Sequence, residues 1–277
     1  MERMGAVPQA EAPTTETANV QSPMHFVAPT EFVDLPSKGI GYASTHPMHG
    51  KDTIEIRYMT AKDEDLLTSK TLLKKGIALE RFLENIIVDK NIKASSLLVG
   101  DRNAIVIASR ISGYGSDYIT KINCPSCGHS SEVTFDLNKT FVNESQVDEK
   151  MNLTKTGDGN FSIIMPLSKF TVDFRLLTGE DEAYLTKLIT NKAKGSATET
   201  ALTDQYKRMI VSVQGHADQS VINRFVDNMP TRDSRFFRSC YKIANPDVKV
   251  IDQYSCTECG FEQELEVPFG ADFFWPE

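Results

Sequence analysis

The sequence has no long apolar run and only five cysteines. None of its apolar stretches approaches the roughly 18 residues that suggest a membrane-spanning helix. Residues 1–20 are rich in Glu, Ala, Thr and Pro and lack the apolar segment of a secretory signal peptide. We therefore expect a protein without a membrane span that is made and kept in a reducing cytoplasm. In that compartment, paired cysteines are more often metal ligands than disulfides.

The sequence also lacks an excess of basic residues. It has 30 Lys and Arg against 38 Asp and Glu, which gives a formal net charge of -8. A protein that coats nucleic acid needs a positive surface to displace counterions from phosphates. The charge therefore argues against such a role, although 40% hydrophobic and 25% charged residues are ordinary for a soluble globular protein.

Motifs of the common enzyme classes are missing as well. There is no P-loop, no G-x-G-x-x-G, no G-x-S-x-G and no H-E-x-x-H among the five scattered histidines. Two acidic pairs, Asp63-Glu64 and Asp181-Glu182, lie where helices are predicted to start, so capping explains them without catalysis. We predict that the protein is not an enzyme and has no small-molecule substrate.

Four of the five cysteines form two matched pairs. Cys124-Pro-Ser-Cys127 and Cys256-Thr-Glu-Cys259 are each followed by glycine and flanked by predicted strands. A tight turn with this spacing can aim two thiolates at one ion, and structural zinc prefers four ligands in a tetrahedron. The pairs predict one structural zinc ion per chain, held by Cys124, Cys127, Cys256 and Cys259.

Other interpretations of the cysteines stay open. The pairs could form a redox centre, although this needs a pair at a helix N-terminus. Each pair could also meet its copy in another subunit, or the site could hold no metal. Cys240 is predicted to be a buried apolar residue, and His129 to be solvated or next to the ligands rather than a fifth ligand.

The hydrophobic pattern predicts alternating strands and helices. Thr60 is expected to cap a helix that carries four leucines, Leu66, Leu67, Leu72 and Leu73, with a stop at Gly76. Further predicted elements are a strand over residues 53–59, helices around 79–87 and 103–111, strands flanking each cysteine pair, a hairpin over 161–176 and a loop over 192–204.

The order of these features repeats itself. Arg57, Thr60, Asp63 and Glu64 match Arg175, Thr178, Asp181 and Glu182 at an offset of 118 (175 minus 57), and the cysteine pairs match at an offset of 132 (256 minus 124). The predicted fold is α+β, with two similar halves. Each half consists of a strand, helices, and a knuckle (the turn that carries one cysteine pair) between two strands. A shared zinc-ribbon-like four-cysteine site joins the halves. The expected boundaries are a disordered arm over 1–24, a first repeat over 25–139 and a second repeat over 140–277.

Several segments, in order, resemble the baseplate hub or hub-assembly proteins of T-even-type contractile-tailed phages (myoviruses). They are residues 35–39 (LPSKG), 59–67, 100–102, 114–118 and 124–128. The resemblance covers roughly residues 30–138 and, more faintly, the second half, and it excludes the N-terminal arm. It implies a non-catalytic virion component or assembly factor of the tail baseplate. Such a protein would act in the host cytoplasm during assembly and bind other hub or wedge proteins.

The alternative function is a zinc-ribbon module that binds nucleic acid. It predicts a basic, aromatic-rich surface beside the knuckles. The candidates are Lys121, Arg232, Arg235, Arg238 and Lys242, but acidic residues such as Glu258 and Glu262 lie closer in sequence. The sequence thus makes nucleic acid the less favoured partner.

Overall fold

A computed structural model describes residues 28–193, 201–267 and 271–274. The arm predicted to be disordered, residues 1–24, lies outside these ranges. The described chain mixes helices with small antiparallel sheets around one hydrophobic core. Among the described helices, none has both the length and the apolar character needed to cross a membrane.

The first part of the chain places helices between two hairpins. Strand β2 alternates as predicted, so that Ile54 and Ile56 are buried while their neighbours are not. The amphipathic helix α3 buries Phe82, Leu83 and Ile86. The elements are β1 (Thr30–Asp34), β2 (Thr53–Arg57), α1 (Ala61–Thr68), α2 (Lys70–Lys75), α3 (Ala78–Ile86), α4 (Val99–Tyr114), β3 (Asp117–Asn123) and β4 (Ser130–Asp136).

One helix prediction in this part is wrong. The four leucines do not lie on a single helix, because the backbone of Ser69 is extended and separates α1 from α2. Gly76 ends α2 in the left-handed conformation (φ 66°), which glycine adopts without steric cost. The predicted stop at Gly76 is therefore confirmed.

The second part of the chain again alternates strands and helices, with more strands than the first part. Strands β6 to β9 form one sheet in the order β6-β7-β8-β9, and a second sheet has the order β11-β10-β5. The elements are β5 (Thr140–Asn143), β6 (Thr154–Lys155), β7 (Phe161–Ile164), β8 (Thr171–Phe174), α5 (Gly179–Ala193), α6 (Ala201–Met209), β9 (Ile210–Val213), α7 (Gln219–Asp227), α8 (Thr231–Ala244), β10 (Asp247–Ser255) and β11 (Glu262–Glu266).

The loop predicted over residues 192–204 is only partly described. Residues 192–193 belong to α5 and residues 201–204 to α6, so the loop prediction is wrong for these six residues, and residues 194–200 lie outside the described residues. The hairpin predicted over 161–176 is confirmed as the antiparallel pair β7–β8.

Two buried aspartates make the same contacts in the two parts. Asp63 at the start of α1 accepts both amino groups of Arg57, at 2.7 and 2.9 Å, and the amide and hydroxyl of Thr60. Asp181 at the start of α5 accepts the corresponding groups of Arg175 and Thr178. Each aspartate also accepts one hydrogen bond that differs between the two parts. The donor is the side-chain amide of Asn85 for Asp63 and the guanidinium of Arg208 for Asp181. The predicted capping role of both acids is confirmed.

A second pair of buried aspartates fixes two turns. Asp101 in the first turn of α4 accepts the amide and hydroxyl of Ser37. Asp233 in the first turn of α8 accepts the amides of Leu167 and Ser168. Each helix start is thus tied to a turn between two strands.

The two parts of the chain are joined by polar contacts in the core. Backbone amides of Val99 and Gly179 bond across to Leu177 and Leu97, at 3.1 and 3.0 Å. The first turn of α4, which begins at Val99, also contains Arg102. The guanidinium of Arg102 pairs with Glu80 at 3.2 Å and with Glu182 at 3.0 Å. These contacts link α4 to both α3 and α5.

Near its end the chain returns to the first part. Phe273 packs against Tyr118 with ring centroids 5.1 Å apart, and Phe274 packs against Phe82 at 5.2 Å. Both phenylalanines are buried. The aromatic residues 273–274 therefore pack on the protein's own core.

Candidate metal centre

Each cysteine pair sits in the tip of a β-hairpin with the same backbone bonds. In β3–β4 the amide of Cys124 donates to the carbonyl of His129 at 2.8 Å, and the amide of Gly128 donates to the carbonyl of Cys124 at 2.9 Å. In β10–β11 the amide of Cys256 bonds to Phe261 at 2.9 Å, and the amide of Gly260 returns to Cys256 at 3.0 Å. These turns need glycine because φ is 76° at Gly128 and 68° at Gly260.

The two hairpin tips converge although 128 residues separate Cys127 from Cys256. The four cysteine sulfurs all lie within 4.8 Å of one another. The Cys124–Cys259 and Cys127–Cys256 Sγ–Sγ distances are both 3.7 Å. A tetrahedron with Zn–S bonds of about 2.3 Å has sulfurs about 3.8 Å apart, so the cluster has the size that a zinc ion requires.

The turns lower the pKa of one thiol in each pair. Burial raises the pKa of the Cys124 thiol, but the backbone amides of Cys127 and Ser126 outweigh it, so the net shift is downward. The backbone amides of Cys259 and Glu258 lower the pKa of Cys256 to about 6. Because zinc binds thiolates, these amides favour the metal-binding form of the ligands.

The pKa of Cys127 is raised to about 12. The amide of His129 opposes this shift, and the neighbouring thiols of Cys259, Cys124 and Cys256 cause it. A group of thiols packed this closely cannot ionise together without a cation among them. The four clustered cysteines are therefore compatible with a zinc site.

The other two candidates lie as expected. Cys240 is fully buried within the apolar core, where it contributes no ligand to the cluster. The backbone carbonyl of His129 closes the first hairpin, while its side chain is only partly buried.

The surface around the hairpins is mainly acidic. Glu262, Glu264 and Glu266 are exposed along β11, and Glu258 is exposed in the second knuckle. Lys121 lies on β3, but the other four basic candidates, Arg232, Arg235, Arg238 and Lys242, are exposed on helix α8.

A tyrosine that the sequence pattern did not single out lies beside the cysteine cluster. Tyr254 is 1% exposed and forms a small buried cluster with Cys124 and Cys256. Its position two residues before Cys256 on an alternating strand could have indicated that it faces the same side as the ligand.

The comparisons with known proteins identify the family. A family model described as "T4 bacteriophage base plate protein" matches residues 31–275. The chain belongs to this family. No curated protein and no solved structure matched the chain.

Membership in the T4 base plate family places the protein in the tail baseplate of the phage virion. It also implies contacts with other baseplate proteins. The predicted phage tail baseplate protein is confirmed at the level of this family, whereas the assignment to the hub stays a prediction. The matched residues include both cysteine pairs, so the four-cysteine cluster lies within the family domain.

Proposed function

We propose that the protein is a non-catalytic structural or assembly component of the hub region of the baseplate, stabilised by one zinc ion per chain. The observation that carries the zinc proposal is the convergence of four cysteine sulfurs within 4.8 Å from two distant hairpins. Structural zinc contributes on the order of 10 kcal/mol to the folding of small domains. An ion at this position would clamp together the ends of the two parts of the chain.

The proposal includes a duplicated unit. The hairpins have the same register, because Ile119 opposite Thr134 corresponds to Ile251 opposite Glu266 at the offset of 132. Asp63 and Asp181 are bound in the same way, and Asp101 and Asp233 fix equivalent turns. We infer that residues 25–139 and 140–277 are two copies of one unit and that the zinc ion joins the same point in both.

The non-catalytic assignment is supported by the state of the two buried aspartates at the starts of α1 and α5. Asp63 and Asp181 are 0% and 1% exposed and are engaged by arginine and threonine donors. These donors outweigh burial and lower the pKa of each carboxyl to about 2, so neither is suited to proton transfer near neutral pH. The acidic hairpin surface likewise speaks against the nucleic-acid alternative.

A cysteine substitution tests the zinc proposal. In Cys256→Ser one of four thiolates is lost, so we expect the purified chain to lose bound zinc and to unfold at a lower temperature. Cys240→Ala is the matched control, because it removes a buried cysteine outside the cluster and should retain the metal. Retention of zinc by Cys256→Ser would contradict the proposed ligand set.

Copurification tests the hub assignment. A tagged full-length chain expressed during infection should recover central hub proteins of the baseplate in larger amounts than wedge proteins. Recovery of wedge proteins alone would place the chain at the periphery and would refute the hub assignment.

A further inference from the structure

A buried tyrosine lies against the cysteine cluster in only one of the two hairpins. Tyr254 is on β10, and its side chain packs with Cys124 and Cys256, surrounded by Ile122, Val133, Phe261 and Leu265. At the offset of 132, the residue that corresponds to Tyr254 in the first hairpin is Ile122. An aliphatic side chain thus fills the equivalent place, and packing alone does not require a phenol hydroxyl.

The hydroxyl of Tyr254 has no hydrogen-bond partner among the described residues, although it is buried. The hydroxyl of Ser131 and the thiols of Cys256 and Cys124 lie near it, but none of them meets it in hydrogen-bond geometry. A buried donor without a partner destabilises the folded protein. Its retention beside the cysteines therefore points to an acceptor that becomes available in another state of the centre.

Metal binding creates such an acceptor. Four thiolates around a divalent ion leave a net charge of about −2, and groups that hydrogen-bond to the sulfurs stabilise such a centre. Backbone amides already act on Cys124 and Cys256 from within their own turns. A thiolate accepts a hydrogen bond more strongly than a neutral thiol does.

We propose that, with zinc bound, the hydroxyl of Tyr254 donates a hydrogen bond to the thiolate of Cys256 and so acts as a positioning residue for the metal centre. This inference rests on the proposed zinc function. It makes the two knuckles unequal, because the first hairpin carries Ile122 at the corresponding place and has no such donor. In the second knuckle, the ligand Cys256 is then held by a side chain from outside its own turn.

The full-length Tyr254→Phe variant tests this proposal by competition for zinc against a chromophoric chelator. Loss of an outer hydrogen bond to a metal ligand typically weakens binding 10- to 100-fold, and we expect a loss of about tenfold here. The metal-free variant should unfold at the same temperature as the metal-free wild type or a higher one, since phenylalanine removes an unpaired hydroxyl. A tyrosine needed only for packing would leave both the zinc affinity and the metal-free stability unchanged, because phenylalanine keeps the ring.

The cobalt-loaded protein supplies a spectroscopic readout. Without the hydrogen bond, the thiolate is richer in electrons, so the thiolate-to-cobalt charge-transfer bands of Tyr254→Phe should move to longer wavelength. Tyr118→Phe is the control, because Tyr118 is buried on β3 and packs against Phe273 rather than the cysteines. It should change neither zinc affinity nor the bands.

Two results would overturn the inference in different ways. A wild-type chain that binds zinc and a Tyr254→Phe chain that binds it equally well would refute the role of the tyrosine alone. A wild-type chain that binds no zinc would refute the metal centre itself, and the tyrosine's role with it.

Discussion

At the scale of single residues, two buried carboxylates hold the helix starts. Asp63 and Asp181 each accept hydrogen bonds from an arginine at or just after the end of the preceding strand and from the threonine that precedes the helix. An aspartate at this position closes the first turn of its helix and satisfies the arginine at the same time. Removing the charge leaves the arginine without its partner.

Asp63→Asn should reduce the free energy of unfolding by about 2 kcal/mol at neutral pH. The folded pKa of about 2 is below the unfolded value of about 4, so the contribution of Asp63 is present above pH 4 and is lost as the pH falls to 2. The difference between wild type and Asp63→Asn, measured by urea unfolding, should therefore narrow from pH 4 to pH 2. Asp65→Asn, at an exposed position of the same helix, should change stability by less than about 0.5 kcal/mol. A difference that stays constant down to pH 2 would contradict this role of Asp63.

At the scale of elements, helix α4 connects both parts of the chain. Its start lies so close to the chain before β10 that a Cβ on Gly100 would be 2.0 Å from the carbonyl oxygen of Pro246. Backbone at that distance cannot move aside without shifting the whole strand. The glycine is therefore a requirement of packing between elements.

Gly100→Ala should destabilise the protein by about 1–3 kcal/mol, since overpacking forces backbone shifts. Gly113→Ala, in the same helix, provides the control. Its added methyl would lie 3.2 Å from the flexible sulfur of Met59, which can move. Thermal unfolding measures the stability of the two variants, and Gly100→Ala should unfold at a lower temperature than Gly113→Ala. Equal stabilities would show that α4 does not pack as described.

The far end of α4 holds the last described segment of the chain. Arg110 is fully buried and donates to the carbonyls of Phe273, Gly115 and Asp117, at 3.0, 2.9 and 3.3 Å. The carbonyls of Gly115 and Asp117 face away from β4, because the carbonyl of Ser116 between them accepts the amide of Leu137. In the second hairpin, strand β5 runs along the corresponding edge of β10. A guanidinium thus satisfies in one hairpin the edge that a strand covers in the other.

Arg110→Met should cost about 2–4 kcal/mol in urea unfolding, because the carbonyls of Phe273, Gly115 and Asp117 lose their donor at once and the bond to Phe273 is buried. The cost should come with faster proteolysis after residue 267, since Phe273 loses its hydrogen bond. Arg81→Met, at a position where the side chain is 62% exposed, should be nearly neutral. A neutral Arg110→Met would show that the terminal segment is held by its aromatic rings alone.

At the scale of the whole molecule, the features that could be predicted from the sequence are those that a short stretch of residues determines. The spacing of the cysteines, the glycines after them and the capping residues at Thr60 and Thr178 predicted the hairpin tips and helix starts. The pairing of β5 with β10 could not be predicted, because residues 139–160 are polar and the partner strand is about 107 residues away (247 minus 140). The contacts of Arg102 with Glu80 and Glu182 depend on how three helices meet, which a single sequence does not encode locally.

The central claim is that one chain closes on itself around one zinc ion. Native mass spectrometry of the purified full-length protein tests it most directly, because it reports metal and chain number in the same particle. We expect each single chain to carry one zinc ion, lost on treatment with a chelator. Single chains without metal, or zinc found only in particles of two or more chains, would contradict the shared four-cysteine site.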